Sequence, residues 1–327
     1  MPYPAVRMRR LRSNRLIRDM VAETSLSPSD LIAPLFVREG IEEPQEIPSL
    51  PGVLQHSLAS LRAEAKRLAS LGVPAVVLFG VPAAKDPEGL GASDPTGIVQ
   101  VALESLAEDL GDRLLRIADL CLDEYTDHGH CGLLDSQGGV DNDATLERYC
   151  TTAQVQARAG AHLVAPSGMM DGQVGAIRKA LDDDGHTGVG VLAYAAKYAS
   201  ALYGPFRDAV DVEIAGGGDR RGYQQNPANK REALREVQLD IDEGADIVMV
   251  KPALSYLDVI SEVRRRFDVP VAAYHVSGEY AMVKAAAERG WIDGEAVALE
   301  QTLAIKRAGA DMILTYFAAE LAEILGA

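Results

Sequence analysis

Eight short runs of apolar and β-branched residues recur along the chain: LIAPLFV (Leu31 to Val37), VPAVVLFG (from Val73), LLRIADLCL (from Leu114), HLVAPSG (from His162), VGVLAYAA (from Val189), DIVMVKP (from Asp246), VPVAAYHV (from Val269) and DMILTYF (from Asp311). Their near-continuous hydrophobicity is that of parallel strands buried on both faces; a half-exposed sheet would alternate. Helical patterns with capping residues lie between them. SLASLRAEAKRLASLG opens on Ser57 and closes on Gly72, and NDATLERYCTTAQVQARAG has Asn142 or Asp143 as N-cap and stops at Gly160. KREALREVQLDIDEG stops at Gly244, EYAMVKAAAERG at Gly290 and EAVALEQTLAIKRAG at Gly309. Strands alternating with helices predict an α/β chain, a (β/α)8 TIM barrel over 31–327 preceded by an extended arm over 1–30. A doubly wound sheet is the runner-up, disfavoured because no glycine-rich phosphate fingerprint follows the first strand.

Composition narrows the partners. Lys and Arg number 32 against 48 Asp and Glu, a net charge of −16, which disfavours nucleic acid or an anionic membrane as a partner of the body. No run reaches the roughly 18 consecutive apolar residues of a membrane span, and the start of the chain lacks a secretory leader, so a soluble cytoplasmic enzyme is expected. Three cysteines, an odd number, do not suggest a disulfide framework and leave thiols available as ligands. The first twenty residues carry Arg7, Arg9, Arg10, Arg12, Arg15 and Arg18 against only Asp19. Such a basic arm ahead of an acidic body predicts packing on a neighbouring copy, hence a homo-oligomer, over a nucleic-acid tail or a transit peptide.

In a barrel, chemistry collects at the C-terminal ends of the strands. Strand three ends in Asp119, Cys121 and Asp123, strand four in Ser167, strand five in Lys197, strand six in Lys251, strand seven in His275 and Ser277, and strand eight in Tyr316. One lysine after a strand is ordinarily a solvated surface residue. Two of them facing one mouth are different, because burial and mutual repulsion would depress both pKa values and leave amines able to attack a carbonyl. That is Schiff-base chemistry on a ketone or aldehyde, with Asp119, Tyr316 and water as proton carriers. A class I aldolase needs only one such amine and is the alternative. A catalytically silent barrel would lack a lysine or a lid arginine, and none is missing.

After strand five comes SALYGPFRDAVDVEIAGGGDRRGYQQNPA, longer than the roughly 15 residues beyond which a structureless loop is commonly a lid. Gly216 to Gly218 match no phosphate-loop spacing and read as flexibility. Arg207, Arg220 and Arg221 suit capture of a carboxylate, so a lid over two lysines suggests a small keto acid.

With these residues in place the chain resembles the porphobilinogen synthase (5-aminolevulinate dehydratase) family, through AAKYASALYGPFRDA, GDRRGYQ, MVKPALSYLD, AAYHVSGEYAM and DEYTDHGHCG in the expected order. The resemblance implies a lyase that condenses two 5-aminolevulinate molecules to porphobilinogen in tetrapyrrole (haem) synthesis, in a homo-octamer whose arms embrace neighbours. It implies that Lys197 and Lys251 form the two imines, that Ser277 and Tyr316 hold the propionate-side carboxylate beside Lys251, and that Arg207, Arg220 and Gln224 hold the acetate-side substrate beside Lys197. Glu236 matches a carboxylate that binds an allosteric magnesium ion at a subunit interface in many bacterial members.

Two departures stand out. Zinc-dependent members carry three cysteines in the strand-three loop, where this chain has Cys121, Asp123 and Cys131. Two thiolates and a carboxylate make a harder ligand set than three thiolates, so a zinc site of reduced affinity is expected, with His128 and His130 shaping the loop. The second departure is APSGMMDG, with Gly168 where an aspartate is common.

Overall fold

The computed structural model describes residues 4–215 and 218–326. Eight parallel strands carry the architecture: β1 (Leu31–Arg38), β2 (Ala75–Val81), β3 (Leu115–Leu120), β4 (Leu163–Pro166), β5 (Gly190–Lys197), β6 (Ile247–Lys251), β7 (Val271–His275) and β8 (Met312–Thr315). Each predicted run supplies one of them. Consecutive strands are neighbours, and β8 returns to β1 with Leu31 opposite Ile313 and Ile32 opposite Leu314. That closure excludes the doubly wound alternative. Two shorter strands, Gln45–Glu46 and Leu54–His56, form a hairpin, and Gln55 pairs with Phe36 of β1.

The strands are mostly apolar because both faces are covered, and β2 is buried from end to end. At the C-terminal mouth Phe36, Phe79, Phe206 and Tyr316 pack ring on ring with centroids 5.0–6.1 Å apart. The covering helices are α2 (Leu58–Ser70), α3 (Ile98–Leu110), α4 (Asn142–Arg158), α5 (Gln173–Asp183), α6 (Gly204–Ala209), α7 (Lys230–Asp242), α8 (Leu257–Arg266), α9 (Ser277–Glu288), α10 (Gly294–Ala308) and α11 (Ala318–Gly326), after α1 (Arg15–Met20) in the arm. Gly160 and Gly244 stop their helices in the left-handed region, φ 97° and 104°. The N-cap of α4 is Asp141, whose carboxylate accepts the Ala144 N–H at 3.1 Å; Asn142 already belongs to the first turn. Helix α3 starts at Gly97 without a side-chain cap, so no polar residue marks its beginning.

The long segment after β5 is more ordered than a structureless lid. Ala201–Tyr203 forms a turn, α6 follows, and the two ends are clasped where Gln225 N–H donates to the Lys197 carbonyl at 3.0 Å and Ala199 N–H donates to the Gln225 carbonyl at 2.9 Å. Arg38 bonds Asp211 at 2.5 Å and Lys85 donates to the Val210 and Asp211 carbonyls, tying the segment to the barrel. Gly216 and Gly217, on which the expected flexibility rested, lie outside the described residues.

Within the arm the turn at Met8–Arg12 and α1 contain no buried residue, whereas Leu26 packs against the core. Val6, Met8, Leu16 and Met20 are 63–80% exposed. Pro28–Asp30 leads into β1, and the Asp30 carboxylate accepts from Lys306 at 2.9 Å.

Candidate active site

Lys197 ends β5, Lys251 ends β6, and the two are register partners on adjacent strands. Neighbouring strands run about 4.8 Å apart, so both amines enter one mouth side by side. Both are buried. Lys251 lies among aromatic rings, 4.4 Å from the Tyr274 centroid, 5.0 Å from Tyr194 and 5.2 Å from both Tyr203 and Phe206. Ring faces favour a cation, but desolvation and the charge of Lys197 outweigh them and bring the Lys251 amine down to about 7. Lys197 departs from expectation. Burial alone would lower it, yet the field of the Cys131 and Cys121 sulfurs and the Asp123 carboxylate prevails and its pKa is raised. The Lys197 amine donates to the Ser167 carbonyl, and the Ser167 hydroxyl donates to Asp119 Oδ2 at 3.1 Å. Burial raises Asp119 to about 7 against the pull of Lys197. The mouth therefore holds an amine and a carboxyl that both exchange protons near neutrality.

Just past β3, Cys121, Asp123 and Cys131 are all buried, and their ligand atoms lie within 4.8 Å of one another. Two soft thiols with one hard oxygen suit a tetrahedral divalent ion such as zinc with one position open, so the residues fit a metal after a modest contraction. Arg220 Nη2 pairs with Asp123 Oδ2 at 2.8 Å, which helps hold that carboxylate well below its ordinary range despite burial. Burial raises the Cys121 thiol, whereas the hydrogen bond from Cys121 and the charge of Arg220 overcome burial at Cys131 and lower it. Neither histidine belongs to the trio. His128 accepts from the His130 N–H at 3.1 Å and faces the Pro87 carbonyl, while the His130 ring meets the Tyr223 hydroxyl at 3.2 Å.

A cavity at the mouth is lined by Asp119, Asp123, Ser167, Lys197, Arg207, Arg220 and Lys251, and a second against it by Arg207, Arg220, Arg221 and Gln224. Arg220 Nε and Gln224 Nε2 are buried donors without a partner among the described residues. Unpaired buried donors are costly, and a ligand carboxylate would satisfy both. On the other side, the Tyr316 hydroxyl lies 3.0 Å from that of Tyr274, whose ring faces Lys251. Ser277 accepts the Phe206 N–H at 3.0 Å and reaches the Leu202 carbonyl at 3.3 Å.

The chain matches known proteins along nearly its whole length. The sequence profile described as delta-aminolevulinic acid dehydratase matches residues 5–324. The delta-aminolevulinic acid dehydratase of Streptomyces coelicolor is 58% identical over 99% of this chain and 98% of its own length. The chain belongs to the delta-aminolevulinic acid dehydratase family. The dehydratase of Mycobacterium tuberculosis is 57% identical over 98% of this chain and 97% of its own length. A crystal structure of the dehydratase from Toxoplasma gondii ME49 in complex with the reaction product porphobilinogen superposes with a TM-score of 0.95, at 46% identity, covering 98% of this chain and 91% of that one.

Not every dehydratase-like position reaches the mouth. Glu236, on α7, is half-buried at a separate hollow shared with Asn229, Arg231, Glu232 and Arg235. His275 is buried between Thr315 and Gln301, both at 3.1 Å, and desolvation lowers it to about 4, the setting of a core histidine. Tyr194, Tyr203, Phe206 and Tyr274 cage Lys251, and Glu124 lines the mouth, although none of them stands out in the sequence. Tyr194 stands three residues before Lys197 and Tyr274 one before His275, a strand-end signal hidden because aromatic residues also fill cores.

A neutral amine attacks carbonyls, so imine formation at Lys251 should rise about tenfold from pH 6 to pH 8, following deprotonation near 7. Cyanoborohydride trapping with the plain keto acid levulinate, read by mass spectrometry, measures it; a pH-independent yield would contradict the assignment.

Proposed function

We propose that this chain condenses two molecules of 5-aminolevulinate into porphobilinogen with loss of two waters, through imines on Lys197 and Lys251. The observation that carries the reading is the pairing of those lysines as register partners in a buried mouth. One substrate lies on Lys251 with its carboxylate toward Ser277 and Tyr316. The other lies on Lys197 with its carboxylate on Arg207, Arg220 and Gln224, a role supported by the unpartnered donors of Arg220 and Gln224. The Lys251 amine attacks a keto carbon and water leaves. Asp119, poised near 7 and bonded to Ser167, takes and returns the protons that each imine and the carbon–carbon bond require. The Arg38 and Lys85 ties hold the segment over the mouth so that imines are shielded from bulk water.

Cys121, Asp123 and Cys131 are the residues that would hold zinc. When bound, the ion supplies a Lewis-acidic charge beside the acetate-side substrate and offsets the anionic field that keeps Lys197 protonated. Glu236 is the proposed ligand of an activating magnesium ion, and the arginine-rich arm packs on another copy of the chain, in an octamer of the family's kind. The exposed apolar side chains of the arm support that packing.

Lys197→Ala and Lys251→Ala should each lower kcat for pyrrole formation by roughly 10³-fold or more, the scale expected when a covalent nucleophile is lost. An aldolase would survive one of the two changes, and a variant retaining near-normal pyrrole synthesis would sink the condensation. After chelation, zinc should restore activity where magnesium alone does not, and Glu236→Gln should remove any further stimulation by magnesium; full activity of rigorously metal-free protein would contradict the zinc role. Deletion of residues 1–20 should give a smaller species in analytical ultracentrifugation, and an unchanged mass would refute the arm's packing role.

A further inference from the structure

Helix α4 lies under the metal-ligand loop and holds it with one face. Thr145 accepts the Leu133 N–H at 3.0 Å, Tyr149 donates to the Cys131 carbonyl at 2.6 Å, and Gln156 donates to the Asp119 carbonyl at 2.7 Å. These side chains follow helical spacing along one stripe. Among them only Tyr149 also reaches a ligand atom: its hydroxyl oxygen lies 3.9 Å from Cys121 Sγ. Tyr149 is fully buried, so no water competes for its proton.

Space for that hydroxyl comes from Gly168. A Cβ built there would overlap the Tyr149 hydroxyl oxygen outright and stand 2.7 Å from Cζ and 3.0 Å from Cε2. Those atoms belong to a stiff ring in a packed interior and cannot swing aside as the end of a flexible side chain would. Gly168 follows Ser167, whose carbonyl accepts from Lys197. The departure at position 168 and the tyrosine are thus one feature, placed between the thiols and the lysine.

We propose that Tyr149 is a positioning residue for the Cys121–Cys131 pair, its hydroxyl occupying the volume that a side chain at 168 would take, and that Gly168 is required to admit it. The phenol has one proton and two acceptors within reach, and a metal-bound thiolate competes for it better than a thiol does. A hydrogen bond to sulfur withdraws electron density from the thiolate and fixes its direction, the usual work of a group behind a metal ligand. This proposal rests on the metal reading above, and its test separates the two.

Cobalt(II) is the probe, because its thiolate charge-transfer band reports directly on the sulfur. Tyr149→Phe should leave the circular dichroism unchanged, shift that band to longer wavelength and weaken cobalt binding about tenfold, the lower end of what loss of such a partner costs. A band and affinity equal to wild type would overturn the proposal. Gly168→Asp alone should lose the band, and Gly168→Asp with Tyr149→Ala should regain it; a normal band in Gly168→Asp would overturn the steric half. If the wild type shows no thiolate band, the metal reading fails. The metal-free alkylation rate of Cys121 and Cys131 by a maleimide then decides, since release by Tyr149→Phe should speed it several-fold and an unchanged rate would overturn the positioning role.

Discussion

Two buried amines on adjacent strands are the constraint from which the rest of the mouth follows. Unit charges at a strand spacing of about 5 Å in an effective dielectric near 20 repel by about 3 kcal/mol, and burial adds the cost of stripping their water. The chain resolves this unequally. Lys251, inside an aromatic cage, gives up its proton near neutrality, while Lys197 keeps its own because the Asp123 carboxylate, the sulfurs of the loop and the Ser167 carbonyl face it. Environment thus assigns different ground states to residues of the same type.

The anions that hold Lys197 charged are themselves held by Arg220. Its guanidinium bonds Asp123 and the Gly129 carbonyl at 2.8 Å while leaving Nε unpartnered. One side chain therefore stands between the candidate metal ligands and the proposed seat of a substrate carboxylate, and the charges of lysine, carboxylate, thiol and arginine form a single balanced set. Asp123 in place of a thiolate fits this set, because a carboxylate can present one oxygen to the guanidinium and keep the other for a metal.

The framework was legible from the chain alone wherever the signal was local. All eight strands were marked by apolar runs of the kind that strands buried on both faces carry, and Gly160 and Gly244 marked helix ends through backbone conformations other residues adopt poorly. Signals failed where a cap is absent, as before α3, or where several polar residues compete, as at Asp141, Asn142 and Asp143. The aromatic cage was illegible because a tyrosine in a strand looks the same whether its ring fills the core or faces an amine.

By itself the sequence determined eight buried strands alternating with helices, the strand-end position of each lysine and the soft, anionic character of the loop after β3, since these depend on periodicity and residue type along a short stretch. Only the tertiary structure decided that Lys197 and Lys251 are register partners, that they titrate apart, that Arg220 closes on Asp123, and that Tyr149 stands where a side chain at 168 would go. Such facts arise between residues distant in the chain, where strand register, helix placement and the loss of water set the distances and fields that a linear pattern does not contain.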